Sequence, residues 1–147
     1  MMLGRLARWL RLLGFDTLYD SSISDSRLIR IAKEQERIIL TRDTRLVKIK
    51  GIQNYLLIIS NEPFKQLHEV INTLHLKDFQ PLSRCVICNG RLIRVLDKNE
   101  IRDSVPEYVF YNFHNFLKCC MCNKIYWQGT HPLMFKKKLR QVLINHQ

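Results

Sequence analysis

The sequence predicts an α/β domain built on a parallel sheet, followed by a small module pinned through cysteines. Three observations carry this. Short apolar runs alternate with amphipathic segments from the N-terminus to about residue 77; two of those runs, RIILT and YLLIIS, read as strands buried on both faces; and two CxxC pairs appear only after a break at Asp78–Ser83 that contains Pro81.

The elements follow in order. Leu3–Leu13 reads as a helix, because Leu3, Leu6, Ala7, Trp9, Leu10 and Leu13 share one broad face while Arg5, Arg8, Arg11 and Leu12 take the other. Gly14 is a stop signal, and Phe15–Tyr19 is expected to be a short strand. Asp25–Glu36 is a second helix, opened by Ser24 or Asp25, with Leu28, Ile29 and Ala32 at helical spacing. Arg37–Thr41 and Tyr55–Ser60 are the buried strands, with a short helix or turn at Thr44–Lys50 between them. Pro63 opens a helix whose face carries Leu67, Val70, Ile71 and Leu74. Beyond the break, Arg91–Leu96 and Tyr108–Phe116 are expected as short strands around a turn at Asp97–Glu100, and Leu133–Ile144 as a basic helix. The expected organisation is thus an α/β domain over 1–80, a cysteine module over 81–131 and a basic helix or tail over 132–147.

The 147 residues are 46% hydrophobic and 25% charged, which are globular proportions rather than those of a disordered chain. Net charge is +11, with 14 Lys and Arg against 9 Asp and Glu through Arg84, and 10 against 4 after it. A basic excess spread over both halves points to a polyanion such as nucleic acid, since each neutralised phosphate releases counterions. No apolar run is long enough to span a bilayer, and the Arg-interleaved N-terminus lacks the apolar core of a signal peptide, so no membrane is expected and the cytoplasm is the expected location.

Cys85-Val-Ile-Cys88 and Cys119-Cys-Met-Cys122 are 30 residues apart. Each CxxC turns tightly enough to aim two sulfurs at one ion, and two of them close a tetrahedral site with no open position, which is the arrangement of structural zinc. Asn89-Gly90 supplies turn chemistry after the first pair, and the spacing leaves Cys120 outside the set. In the α/β domain, Asp43 follows the RIILT strand at the edge where parallel sheets place their ligands. Asp25 opens a helix, and Asp16 and Asp20 flank the preceding segment. Converging carboxylates can hold Mg2+ or Mn2+. Each also has a plainer role: Asp25 as a helix cap, Asp16 and Asp20 as turn residues, Asp43 in a surface network with Arg42, Arg45 or Arg5.

The ordered motifs MLGRLARWLRLLGFDT, SDSRLIRIAKEQERIILTRDTRLV, RCVICNGRL and CMCNKIYWQGTH resemble the mut-seven C-terminal RNase family, a PIN-like domain followed by a zinc ribbon. The likeness runs from Met2 to about His131. It implies metal-dependent RNA cleavage by clustered acids, which by motif are Asp25 of SDSRL and Asp43 of LTRD, with Asp16 of GFDT as a further candidate; it also implies metal-ligating cysteines. Members of the family usually begin with a strand ending in Asp just before the MLGxLARWLR helix. Here that helix follows Met1-Met2-Leu3 directly, so the resemblance implies a PIN-like sheet lacking its usual first strand and one carboxylate.

RNA contacts are expected from the Arg5, Arg8 and Arg11 stripe, from Arg42 beside Asp43, and from Tyr126, Trp127 and His131 near Lys124, where aromatic rings beside cations can stack unpaired bases. Lys136, Lys137, Lys138 and Arg140 extend the basic surface. Three functions stay open: a divalent-metal-dependent ribonuclease of RNA processing or decay, a non-catalytic RNA- or ribonucleoprotein-binding protein with a degraded PIN-like site, and a zinc-ribbon adaptor for proteins.

Overall fold

The computed structural model describes residues 3–127 and Arg140. His131 and the expected helix over 133–144, Arg140 apart, lie outside the described residues. The chain forms two compact units, one of residues 3–9 and 18–78, the other of 10–17 and 79–127 with Arg140.

In the first unit, helix α1 begins at Gly4 and runs to Leu12; Leu6 and Ala7, adjacent on one face, are buried, while Arg5 and Arg8 are exposed. The Trp9 ring lies 4.6 Å from that of Phe64 on the third helix. Helix α2 (Asp25–Glu34) is capped by the Ser24 side chain, which accepts the Arg27 N–H. Strand β1 (Ile39–Thr41) pairs in parallel with β2 (Tyr55–Leu57), in the register Ile39–Tyr55, Leu40–Leu56 and Thr41–Leu57. A single 3-10 turn, Leu46–Lys48, lies on the crossover. Helix α3 (Pro63–Leu74) starts with Pro63 in its first turn, and the Glu62 carboxylate accepts the N–H groups of Phe64 and Lys65 at 3.0 Å. Its buried face carries Leu67, Val70 and Ile71. The α/β reading with a parallel sheet therefore holds, with strands shorter than the apolar runs that announced them.

In the second unit, β3 (Leu92–Arg94), β4 (Phe116–Cys119) and β5 (Ile125–Trp127) form an antiparallel sheet in that order. Between β3 and β4 the chain makes a 3-10 stretch, Lys98–Ser104, and a short helix, α4 (Glu107–Asn112). Ile101, Val105, Val109 and Phe110 from this excursion pack with Phe116 and Ile125 of the sheet, flanked by Val95, Phe113 and Trp127.

Two expected strands did not form. Tyr108–Phe116 divides into α4, a bend and the start of β4. Its aromatic and β-branched composition reads as strand, but Val105, Val109, Phe110 and Phe113 recur at helical spacing, and they all join one core. Phe15–Tyr19 is irregular because side chains have replaced its ladder partners: the Thr17 N–H donates to Asn89 Oδ1 at 3.0 Å and the Thr17 carbonyl accepts from Arg11 Nε at 2.9 Å.

Gly14, at φ +96°, ends α1, and a Cβ there would stand 2.5 Å from the Gln80 carbonyl oxygen. Gly14→Ala is therefore expected to cost about 3 kcal/mol, from the left-handed backbone and the steric displacement together, read as a lowered midpoint in urea unfolding.

Candidate metal centre and acidic sheet edge

The cysteine site is made by two turns of the same design. In the first, the Asn89 N–H donates to the Cys85 carbonyl at 2.9 Å and the Cys85 N–H to the Gly90 carbonyl at 2.7 Å. In the second, the Asn123 N–H donates to the Cys119 carbonyl at 3.1 Å and the Cys119 N–H to the Lys124 carbonyl at 2.9 Å. Asn89 (φ 70°) and Asn123 (φ 65°) both take the left-handed conformation that reverses the chain after each CxxC, one asparagine tolerates better than most residues. Gly90 leaves room for the sulfurs, since a Cβ there would come within 2.8 Å of Cys119 Sγ.

The four Sγ atoms of Cys85, Cys88, Cys119 and Cys122 all lie within 4.8 Å of one another. The two cross-turn distances are 3.6 Å for Cys85–Cys122 and 3.3 Å for Cys88–Cys119. Four sulfurs at about 2.3 Å from a common tetrahedral centre stand about 3.8 Å apart, so the quartet fits a zinc-sized ion. It is far too open for disulfides, and the cysteines are free thiols. The Met121 and Cys122 amides point at Cys119 Sγ, at 3.4 and 3.5 Å, and offset thiolate charge. Cys120 is exposed and outside the group, as its position beside Cys119 suggested.

The thiols do not ionise alike. Burial pushes Cys85 up, but the Tyr126 hydroxyl and the amides of Cys88 and Ile87 outweigh it and bring the group down to about 7. The Val86 N–H occupies the Tyr126 oxygen at 3.1 Å, which leaves the phenolic proton for Cys85 Sγ, 3.0 Å away. Burial, reinforced by the neighbouring thiols, holds Cys88 up at about 12.

Several residues expected to touch RNA or metal have intramolecular partners at this site. Arg11 leaves the cationic stripe: it is only 6% exposed, and its Nη1 donates to the carbonyls of Val86 and Ile87, the two residues inside the first CxxC, at 2.9 and 3.2 Å. Asp16 accepts from Asn89 Nδ2 at 2.6 Å and stands 3.9 Å from Arg84 Nη1. Tyr126 serves Cys85, and Trp127 packs on the apolar core of the unit. Asp16→Ala is expected to lower the stability of the second unit by about 1–2 kcal/mol, because it strips a partly exposed charge-assisted partner from Asn89; urea denaturation measures it.

The acidic edge lies in the first unit. Asp43 is exposed two residues beyond β1, where Thr41 Oγ1 accepts the Asp43 N–H at 3.0 Å and Asp43 Oδ1 accepts the Arg45 N–H at 2.8 Å. Asp25 is exposed in the first turn of α2, beside β1; with Ser24 doing the capping, its carboxylate has no hydrogen bond or ion pair among the described residues. Asp20 is a turn residue that accepts from Ser22 N and Oγ, and these bonds hold its carboxyl below the usual range. Among the described residues, the cysteines form the group of three or more candidate ligands and the carboxylates form none.

At the neighbouring strand exit, side chains satisfy every backbone polar group of Ile59-Ser60. The N–H groups of Ile59 and Ser60 donate to Glu69 Oε1 and Oε2 at 3.0 and 3.2 Å. The Ile59 carbonyl accepts from Arg42 Nη2 at 3.4 Å, and the Ser60 carbonyl from Gln66 Nε2 at 3.0 Å. Arg42 is thus half-buried at this edge rather than extended into solvent. Nothing in the sequence marked Glu69 or Gln66, because capping a strand exit from six to ten residues away has no local signature.

The family model for the Mut7-C RNAse domain matches residues 1–139. The chain belongs to the Mut7-C RNAse domain family. No curated protein and no solved structure matches it. Membership in the Mut7-C family gives the chain a ribonuclease-type function in general terms and RNA as the substrate class. The cysteine quartet equips this Mut7-C member to bind a structural metal such as zinc. Among the described residues no helix is long and apolar enough to cross a membrane.

Proposed function

We propose that this chain hydrolyses RNA phosphodiester bonds in RNA processing or decay, using Mg2+ or Mn2+ held by Asp43 and Asp25. The observation that carries the reading is Asp43 itself, an exposed carboxylate at the C-terminal exit of a parallel strand in a member of a ribonuclease family. Asp25, exposed and unused as a cap, is the second carboxylate, and one or two carboxylates plus substrate phosphate are what Mg2+ ordinarily takes. A divalent cation there supplies an activated water and neutralises charge on the leaving oxygen.

The protein's own part is to hold and orient. The Arg45 amide fixes Asp43 Oδ1, which leaves Oδ2 for a ligand. Arg5 and Arg8, exposed on α1, offer forked donors to the RNA backbone. Asp16, the further candidate, holds Asn89 Nδ2 with its Oδ1 and lies in the second unit, so the proposal places the metal on Asp43 and Asp25. Zinc at the four cysteines shapes the second unit and leaves no open position for catalysis. We assign the activity to the cytoplasm, where thiolates stay reduced.

The test is cleavage of a labelled single-stranded RNA in Mn2+ by the parent protein and by Asp43→Asn. Equal cleavage by the two would trace the activity to a contaminant. Absent cleavage by both, with RNA binding that weakens steeply in salt, would favour a binding module.

A further inference from the structure

Ile59 is 81% exposed, although every backbone polar group of Ile59-Ser60 is fixed by a side chain. A loose loop would expose an isoleucine through mobility. Here two carboxylate oxygens, a buried glutamine amide and a guanidinium hold the segment, so the apolar side chain is held out in solvent. Its place is informative: Asp43 and Ile59 each lie two residues beyond the paired Thr41–Leu57, on adjacent strands leaving the sheet at the same edge, and the Ile58 N–H still donates to the Thr41 carbonyl at 2.7 Å.

We infer that Ile59 is a specificity contact of the ribonuclease site, the apolar surface against which an unpaired base of the substrate rests beside the bond to be cut. This inference rests on the proposed ribonuclease reading and deepens it. A branched alkyl group has nothing to offer a phosphate, whereas an unstacked base has an apolar face that needs cover. Phosphate contacts fall to Arg5 and Arg8 in the proposed reading. Glu69 is a positioning residue in this arrangement, acting only through the two amides it accepts.

The binding test uses labelled single-stranded RNA with the Asp43→Asn protein, and the same oligomer made of abasic nucleotides. Adding Ile59→Ser is expected to weaken binding to intact RNA about fivefold, the low end of what a base contact contributes, and to leave the abasic oligomer unaffected. In the otherwise unaltered protein, Ile59→Ser should raise KM by a similar factor with kcat retained. Glu69→Gln, with one acceptor oxygen for two amides, should reproduce part of the KM effect. Intact RNA bound equally well with and without Ile59→Ser would overturn the inference, as would an equal loss on the abasic oligomer. Cleavage undiminished by Asp43→Asn would instead overturn the hydrolytic reading, whatever Ile59→Ser does to KM.

Discussion

Asp43→Asn is expected to slow Mn2+-dependent cleavage of single-stranded RNA by about 100-fold or more, with little change in thermal stability. The two halves of that expectation come from the two oxygens of one side chain. Oδ1 accepts the Arg45 N–H at 2.8 Å, and an asparagine carbonyl can accept the same bond, so the turn after β1 survives. The other position becomes an amide donor with no charge, which cannot ligate a cation, and loss of one preorganised electrostatic partner typically costs two to three orders of magnitude in rate. Asp25→Asn should behave similarly, since Ser24 caps α2 and the loss of a first-turn charge is worth only about 0.3–1 kcal/mol to the helix. Single-turnover cleavage and a thermal melt on the same preparations separate lost chemistry from lost fold. Two variants that melt normally and cut normally would remove both acids from the mechanism.

Cys88→Ser is expected to unfold the cysteine unit rather than weaken it slightly. Structural zinc contributes about 10–16 kcal/mol of apparent binding energy in small modules, comparable with the whole stability of a domain. A serine hydroxyl does not replace thiolate as a ligand. The parent should carry about one zinc per chain by elemental analysis, and the variant should lose it along with amide protection over residues 85–127. Cys120→Ser, beside a ligand but outside the quartet, should keep its zinc. Acid should mimic the ligand loss: metal needs thiolate, so as pH falls protons compete for every sulfur, including Cys85, whose thiol is already down at about 7. Full zinc retention by Cys88→Ser would show that the quartet is not the site.

What the sequence revealed depended on whether the deciding interaction was local. The cysteine quartet was legible because CxxC fixes two ligands within one turn, and Asn89-Gly90 carries its own backbone preference. Helices α1 to α3 were legible from periodicity. Arg11 was not. It shares spacing and chemistry with Arg5 and Arg8, and its burial against the carbonyls of Thr17, Val86 and Ile87, the last two about 75 positions away, distinguishes it. Tyr126 likewise reads as a stacking ring until its hydroxyl is found on Cys85. Composition concealed α4, where aromatic residues typical of strands follow a helical period into a core that only the fold brings together.

The membership of residues 10–17 in the second unit bears on how the chain is made. Arg11, Asp16 and Thr17 are synthesised well ahead of their partners Val86, Ile87 and Asn89, which emerge some seventy residues later, with the second pair of cysteines later still. A nascent chain must therefore leave these bonds unmade until translation has passed Asn89, and a gene cut near codon 80 would separate the stretch from its partners in the first CxxC turn.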